Sequence, residues 1–399
     1  MGERPPVGDW TRDFDHNHPD WSNDPHAIWD DLRARCPVAH TDRYGGVYLP
    51  VRHDDIRAIA YDTEHFSSRR ISILEKRPIS APIPPVTSDP PKHRAQRMML
   101  LPAFTPAAIS ELEPITRRMC NELIDTFIAA GQCDAAADYA SHVPTRVISR
   151  MLGVNEREGN RFRTWIHDLA GDGVEGGAVF MRVIQEIDAF FRAEVAARQS
   201  NPQSDLIGFL MTQTIEGKPL SEQHLLGTLR LLLLAGIDTT WSSISHTLLH
   251  LARTPEHRRR LLAEPALMPT AIEEFLRVLA PVSVARLVVK DQEVGSCRFA
   301  TGEMVLLPYP AANRDPEKFE RPDEVVLDRQ ENRHSTFGLG IHRCVGSNLA
   351  RMELTVAIEE WLRRIPEFEL EIGAELNWSR GLVRGPRSVR VRFASGQPN

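Results

Sequence analysis

FGLGIHRCVG, from Phe337 to Gly346, is the stretch that decides the fold of this chain. It places three glycines, a histidine, an arginine and a cysteine directly before a segment with helical spacing. A free thiol has a pKa near 8.5, so Cys344 needs help to act as an anion. The helix predicted over Val345 to Arg364 offers that help, because free N–H groups and the macrodipole at its start favour negative charge.

The rest of the loop favours a metal-facing sulfur over a buried structural cysteine. Gly338, Gly340 and Gly346 let backbone approach the sulfur and anything bound to it, because glycine has no side chain. His342 and Arg343 add positive charge or hydrogen-bond donors nearby. The loop therefore predicts a thiolate that points at the metal of a large, flat prosthetic group.

Composition narrows the class of protein. The chain has 399 residues, 42% of them hydrophobic, and a net charge of −6 without any long basic run, which argues against a nucleic-acid partner. The N-terminus lacks the apolar core of a signal peptide, and the longest apolar run, Leu231 to Ile237, is far shorter than a membrane span. We expect a cytoplasmic protein without membrane contact. The five cysteines match no zinc or disulfide pattern.

Apolar periodicity predicts a mainly α chain with small β-sheets. Helical spacing runs through Ile109 to Ile128, Val143 to Leu152 and Val183 to Val195. One long helix is predicted over Ser221 to Thr254, with Ser221 as its N-cap and Pro255 as its stop. A loop is expected at Glu216 to Pro219, and short strand patterns cover residues 45–51, 286–290, 302–309 and 388–393.

The cysteine stretch resembles the haem-binding loop of the cytochrome P450 superfamily, which reads F-G-x-G-x-H/R-x-C-x-G. The resemblance implies that Cys344 is the proximal thiolate of haem iron, in haem b. It also implies that His342 contacts a haem propionate, that Phe337 packs beside the sulfur and that Gly338 adjoins the haem. The implied fold is one helical prism over residues 1–399 with a long central oxygen-binding helix.

A second motif lies inside the long helix, at LLLLAGIDTTWSS. A hydroxyl at Thr239 can bond back to the carbonyl of Ala235, and Gly236 leaves space beside it. The segment resembles the family motif A-G-x-D/E-T, whose acid–alcohol pair delivers protons to bound dioxygen. The resemblance implies that Asp238 and Thr239 are the catalytic residues.

A third motif is EEFLR, where Glu274 and Arg277 share a helix face at i,i+3 spacing. It resembles the family's E-x-x-R, which anchors a buried network behind the cysteine loop. A further arginine usually joins this network, and Arg321 and Arg329 are both candidates.

Three more basic residues complete the expected site. His93 and Arg97 lie four residues apart, so they share a face if their segment is helical. The family often carries this pair on a haem propionate, and Arg286 resembles the strand arginine on the other propionate. Buried carboxylates need such cationic partners.

The implied activity is insertion of one atom of O2 into a small apolar organic substrate, by hydroxylation or O-dealkylation. No flavin, NAD(P)H or iron–sulfur segment is present, so electrons should come from a separate ferredoxin or flavodoxin with its reductase. Arg117, Arg118, Arg343 and Arg351 are candidates for its docking face, and a monomer is expected. Three alternatives stay open, namely a peroxide-driven peroxygenase, a non-catalytic haem-fold recruitment or sensor protein, and a haem part cut from a longer fusion with its own reductase.

The resemblance also suggests pocket walls, although ordinary core is an equal alternative for each residue. Arg384 and Arg387 hint at an acidic substrate, with solvent-facing arginine as the more ordinary interpretation. The suggested pocket residues are Ile71, Ile73, Ile83, Val86, Leu232 to Thr240, Val282 to Ala285, Leu382 and Val383.

Overall fold

A computed structural model describes residues 5–74, 82–170 and 177–398 of the chain. The proline-rich stretch from Pro78 to Pro91 is predicted to be a loop whose Ile79, Ile83 and Val86 pack on an apolar surface, and its part up to residue 81, which includes Ile79, lies outside the described residues. The described α-helices are α1 Pro19–Asn23, α2 Pro25–Arg35, α3 His53–Tyr61, α4 Lys92–Leu100, α5 Pro106–Ser110, α6 Glu113–Asp125, α7 His142–Leu152, α8 Gly159–Ala170, α9 Ala178–Ser200, α10 Leu206–Met211, α11 Glu222–Arg253, α12 Pro255–Ala263, α13 Met268–Val278, α14 Tyr309–Ala312 and α15 Ser347–Arg364.

The strands form small sheets beside these helices. The described strands are β1 Val38–Thr41, β2 Val47–Pro50, β3 Phe66–Ser67, β4 Gln132–Asp134, β5 Thr214–Ile215, β6 Lys218–Pro219, β7 Ser283–Val288, β8 Gln292–Val294, β9 Cys297–Phe299, β10 Met304–Pro308, β11 Phe368–Leu370 and β12 Arg390–Phe393. A five-stranded sheet has the order β1-β2-β10-β7-β3, in which β10 and β2 pair in parallel and the other described pairs are antiparallel. A three-stranded antiparallel sheet has the order β11-β12-β4. Two hairpins join β5 to β6 and β8 to β9. The chain is therefore mainly α with small β-sheets, as predicted.

Helix α11 is the centre of the largest core. Its 32 residues span about 48 Å at 1.5 Å per residue. The predicted cap is present, since Ser221 Oγ accepts a hydrogen bond from the His224 N–H at 3.2 Å, and α12 begins at Pro255. Helices α7, α9 and α15 pack against α11. This arrangement puts the Asp238–Thr239 pair in the middle of the protein.

Three local predictions need correction. The helix after the cysteine begins at Ser347 and not at Val345, because Gly346 at φ −83°, ψ 15° is not helical. The helical spacing predicted through Ile109 to Ile128 corresponds to two helices, α5 and α6, and extends beyond the end of α6 at Asp125. The loop expected at Glu216 to Pro219 is a tight hairpin, since residues 216 and 217 adopt positive φ and let β5 and β6 pair.

The described ranges contain no helix that is both long and apolar enough to cross a membrane.

Candidate active site

A cavity of about 460 Å³ lies against the middle of α11, and the cysteine loop forms part of its wall. Most of its accessible lining is apolar. The sequence-predicted residues Cys344, Phe337, Gly338, Asp238 and Thr239 all line it. The fold therefore brings the cysteine motif and the acid–alcohol motif to one space, although 105 residues separate Thr239 from Cys344.

Backbone hydrogen bonds hold the cysteine loop in its shape. The Cys344 N–H donates to the Phe337 carbonyl at 2.7 Å, and the Gly338 N–H donates to the Ser335 carbonyl at 2.8 Å. The Gly346 N–H donates to the Cys344 sulfur. Cys344 is exposed to the cavity, yet the surrounding protein still desolvates the thiol and raises its pKa, despite this donor and three nearby arginines. The helix start alone is thus insufficient, and a metal ion at the sulfur is what would keep it deprotonated.

Gly338 and Gly340 of the loop have different structural roles. Gly338 has φ +75° and lines the cavity beside Tyr309. Gly340 has φ +66°, and a Cβ there would lie 2.6 Å from the carbonyl oxygen of Ala60. Gly340 therefore serves the packing of the loop on α3, whereas the sequence argument assigned it to the approach of a prosthetic group.

Four basic side chains meet at one side of the cavity. His93 and Arg97 lie on α4, Arg286 on β7 and His342 in the cysteine loop, and all four line the cavity. The rings of His93 and His342 have centroids 4.4 Å apart. Their Nε2 atoms are buried and have no hydrogen-bond partner among the described residues. Such groups call for an acidic partner that enters the cavity.

The pKa values of these groups support the same conclusion. Burial lowers the pKa of His342 to about 3, and Arg286, His93 and Arg97 lower it further by repulsion. Burial also lowers the pKa of His93 and of Arg97. The two histidines are therefore neutral near pH 7, and the cations of this group are Arg97 and Arg286, which form no ion pair with a carboxylate among the described residues. Buried cations of this kind need an acidic partner. The two propionates of a haem would supply it, and a thiol beside a largely apolar slot suits the rest of that cofactor, so the residues present fit a haem.

The polar pair on α11 has two separate attachments. The Thr239 hydroxyl donates to the Ala235 carbonyl at 2.9 Å, in the i to i−4 bond that the sequence suggested. The Asp238 carboxylate accepts a hydrogen bond of 2.5 Å from Nη2 of Arg387. Burial raises the pKa of Asp238, while Arg387 opposes that rise. The solvent-facing interpretation of Arg387 is therefore wrong, since its side chain is only 10% exposed.

Arg384 also departs from the solvent-facing interpretation. It donates to the carbonyls of Ser22 and Asn23, both at 2.7 Å, and its guanidinium lies 4.0 Å from the ring centroid of Trp378. Burial lowers the pKa of Arg384 to about 10. Arg384 thus connects the C-terminal part of the chain to α1, and its guanidinium is engaged by these contacts.

The E-x-x-R pair is buried, and its third member is Arg329. Glu274 accepts hydrogen bonds from Arg277 at 2.8 and 2.9 Å and from Arg329 Nε at 3.0 Å. Arg321 instead pairs with Glu324 at the surface. The Thr336 hydroxyl donates to the carbonyl of Leu276, which links α13 to the start of the cysteine loop.

Most of the suggested pocket walls line the cavity, with three exceptions. Leu233 and Ile237 lie on another face of α11 and pack in the main core. Ala285 points to the opposite face of β7 from Val284 and Arg286, because side chains alternate along a strand, and it packs in an N-terminal core. The suggested residues that do line it are Ile71, Ile73, Ile83, Val86, Leu232, Leu234, Ala235, Gly236, Asp238, Thr239, Thr240, Val282, Ser283, Val284, Leu382 and Val383.

Sequence reasoning missed part of the wall opposite the cysteine. Ile166 and Leu169 of α8 and Phe180 of α9 line the cavity, as does Arg380 near the C-terminus. The i,i+3 spacing of Ile166 and Leu169 signals a helix face, but nothing in the sequence shows that this face meets α11.

Two of the four arginines expected at the docking face pair with carboxylates of the protein itself. Arg117 pairs with Glu113, Glu359 and Glu360, and Arg351 makes hydrogen bonds of 2.6 and 2.8 Å to Glu273. Their charges are thus neutralised by neighbours. Arg118 and Arg343 remain exposed.

Comparisons with known proteins agree with this geometry. The family model described as cytochrome P450 matches residues 169–377. The chain is 34% identical to the probable cytochrome P450 127A1 of Sinorhizobium fredii, over 94% of this chain and 91% of that protein. It is 33% identical to the mycinamicin IV hydroxylase/epoxidase of Micromonospora griseorubida, over 92% and 97%.

A solved structure gives the same result for the fold. CYP109E1 from Bacillus megaterium, in complex with testosterone, matches with a TM-score of 0.85 and 28% identity, over 93% of this chain and 98% of that one. Related proteins are thus named as oxygen-inserting enzymes, and the similarity extends over nearly the full length of each. The chain therefore belongs to the cytochrome P450 family and is an oxygen-incorporating oxidoreductase.

Proposed function

We propose that the protein is a haem-thiolate monooxygenase that inserts one atom of O2 into a small apolar organic substrate, by hydroxylation or O-dealkylation. The observation that carries this proposal is the shared cavity, since the Cys344 sulfur, four basic side chains and Thr239 line one largely apolar space. Haem b, when bound, would supply an iron that binds O2 and activates it reductively.

Each part of the cavity would have a distinct task. Cys344 would hold the iron, and the basic side chains of His93, Arg97, Arg286 and His342 would hold the propionates. The apolar walls would orient the substrate and keep water away from the reaction. Asp238 would take up and release a proton, and the Thr239 hydroxyl, whose own hydrogen goes to Ala235, would accept a hydrogen bond from a proton donor in the cavity.

The electrons would come from a separate ferredoxin or flavodoxin with its reductase. Exposed Ile341 belongs to the cysteine loop, and exposed Tyr61 and Met98 offer further apolar surface for such a partner. A Cβ on Gly340 would lie 3.5 Å from Tyr61, and Met98 follows the cavity residue Arg97 on α4. Exposed Arg343 adds a positive charge for an acidic partner. A monomer in the cytoplasm with one domain over residues 1–399 stays a prediction.

The first test is spectroscopic. The haem-loaded, reduced protein should give the thiolate-type absorption band with carbon monoxide, and Cys344→Ser should lose it. Cys36→Ser is the matched control, because Cys36 is half-buried and lies outside the cavity lining. If Cys344→Ser kept the thiolate band, the ligand assignment would be wrong.

The second test is turnover. Aromatic acids, terpenoids, fatty acids and steroids are screened for a shift of the iron spin state, and those that bind are then supplied with a ferredoxin system. Product that forms with peroxide alone, and not with the ferredoxin system, would favour a peroxygenase. Binding without turnover of any spin-shifting ligand would favour a recruitment or sensor protein.

A further inference from the structure

Arg387 reaches Asp238 from the segment 377–389, which we call the C-terminal hairpin. Trp378 pairs with Pro386 across this hairpin, and the Arg387 N–H donates to the Asn377 carbonyl at 2.6 Å. The hydroxyl of Ser379 donates to the Val383 carbonyl at 2.8 Å. These bonds give the hairpin a fixed shape, although it contains no helix.

The hairpin lies directly on α11 because residue 385 is glycine. A Cβ on Gly385 would lie 2.4 Å from Cβ and 2.8 Å from Cα of Ser242, a distance that no side chain tolerates. Ser242 is one helical turn after Asp238. This close approach sets the distance between Arg387 and the Asp238 carboxylate.

The guanidinium of Arg387 is held on two sides. Its Nη2 donates to Asp238 Oδ1 at 2.5 Å, and its central carbon lies 4.4 Å from the ring centroid of Trp241. Such a cation–π contact adds to the ion pair in a buried place. Arg387 does not belong to the described lining of the cavity, whereas Asp238 does. The arginine therefore sits behind the carboxylate and is badly placed to bind an acidic substrate.

Several polar atoms around this ion pair are buried without a hydrogen-bond partner in the described chain. They are Nε and Nη1 of Arg387, Nε1 of Trp241 and Oγ of Ser242. Buried donors of this kind normally bind ordered water. A cluster of such polar atoms beside one carboxylate can hold a short chain of water molecules that leads to it.

We propose that Arg387 is a positioning residue for Asp238, and that the polar atoms of Arg387, Trp241 and Ser242 mark a hydrated route by which protons reach this carboxylate. The inference rests on the proposed monooxygenase function and adds the side from which protons are supplied. Asp238 contacts Arg387 on one side and lines the cavity on the other, so it can connect the two.

The proposed step is a proton transfer in which protons and charges balance. A water molecule of the route gives a proton to a carboxylate oxygen of Asp238, and bulk solvent restores that water. Asp238 then releases the proton to an acceptor in the cavity, and no electron moves in this step. The ion pair keeps Asp238 charged between transfers, which prepares it to accept the next proton.

The test compares three arginine variants in the haem-loaded protein. Arg387→Met removes the charge at similar length, Arg387→Lys restores a charge, and Arg390→Met removes an exposed arginine on β12, just after the hairpin. With a substrate that shifts the spin state, Arg387→Met should lower kcat about tenfold or more and leave KM nearly unchanged. Arg387→Lys should recover part of the loss, and Arg390→Met should behave as wild type.

The pH profile separates this role from a structural one. Among the described residues, Arg387 is the charged group that shifts the pKa of Asp238, and it lowers that pKa against burial. In Arg387→Met the pKa should rise, so the acidic limb of the profile should move to higher pH. Trp241→Phe keeps an aromatic ring but removes the indole N–H, and it should change the solvent isotope effect on kcat.

Infrared spectroscopy gives a readout that does not depend on turnover. The carboxylic acid band of Asp238, identified by its loss in Asp238→Asn, should appear at higher pH in Arg387→Met than in the wild type. An unchanged band together with an unchanged profile in active enzyme would overturn the inference. Absence of turnover in the wild type would contradict the proposed function, while the infrared shift would still decide the role of Arg387.

Discussion

Glu274 and Arg277 lie one turn apart on α13, both with fully buried side chains, and two hydrogen bonds of 2.8 and 2.9 Å join them. Arg277 also donates to the carbonyls of Asn313, Pro322 and Glu324. The pair thus connects a helix to the loop segments that precede the cysteine. A buried pair of this kind is costly to break, because each partner leaves an uncompensated charge behind.

Glu274→Gln should therefore destabilise the protein by about 3–5 kcal/mol, since it leaves Arg277 and Arg329 without their carboxylate. Urea unfolding followed by fluorescence measures the change. Arg321→Ala is the control, because it breaks an exposed pair with Glu324 and should change the free energy of unfolding by less than about 1 kcal/mol. A loss of equal size in both variants would contradict the structural role of the buried network.

Sequence spacing could predict the Glu274–Arg277 pair but not its third member. Residues at i,i+3 on a helix share a face, so the pair follows from the chain itself. Arg321 and Arg329 lie in an irregular segment, where no periodicity tells which side chain points inward. Arg329 is selected because its guanidinium also donates to the carbonyls of residues 320 and 321.

The same limit explains what was missed at the site. The bounds of α11 were predictable to within one residue, because a serine cap and a proline mark its two ends. The contact of Arg387 with Asp238 was not predictable, because 149 residues separate them and the hairpin has no periodic pattern. The order of the motifs along the chain indicates the family, whereas long-range pairs need the folded structure.

Gly340→Ala should lower the free energy of unfolding by more than the backbone strain of an alanine at positive φ would by itself. At φ +66° an alanine is strained, and its Cβ would also lie 2.6 Å from the backbone oxygen of Ala60. Because backbone on both sides resists movement, we expect a loss of more than about 1 kcal/mol in the free energy of unfolding. Equilibrium unfolding in urea measures it.

Gly373→Ala is the matched control for this change. Gly373 has φ +77°, but a Cβ there meets nothing within 4 Å, so its alanine variant reports the backbone strain by itself. The difference between the two variants isolates the contact with Ala60. Equal losses at both positions would show that the approach to α3 does not matter.

Acid should weaken the fold through His250. Burial, His257 and Arg253 lower the pKa of His250 to about 4, whereas an unfolded histidine titrates near 6.5. Between these values the unfolded state binds a proton that the folded state does not, so the stability present above pH 6.5 is lost as the pH falls towards 4. The expected loss is roughly 3 kcal/mol, from about 1.4 kcal/mol per pKa unit.

His250→Gln should flatten this part of the stability curve, measured by unfolding at intervals between pH 7 and 4. His167→Gln is the control, because the His167 side chain is 75% exposed. Its curve should have the slope of the wild type. An unchanged slope in His250→Gln would mean that another group causes the loss.

Thr239→Ala should uncouple oxygen consumption from product formation. The hydroxyl of Thr239 lines the cavity, and its hydrogen is committed to the Ala235 carbonyl at 2.9 Å, so the oxygen lone pairs are free to accept a hydrogen bond there. Without this acceptor, protons are delivered less selectively, and we expect product per O2 consumed to fall by roughly tenfold or more.

Thr247→Ala is the matched control, because Thr247 makes the same i−4 bond at 2.8 Å on α11 but does not belong to the described lining. Coupling is measured as the ratio of product to O2 consumed. If it stays at the wild-type ratio in Thr239→Ala, the hydroxyl has no part in proton delivery.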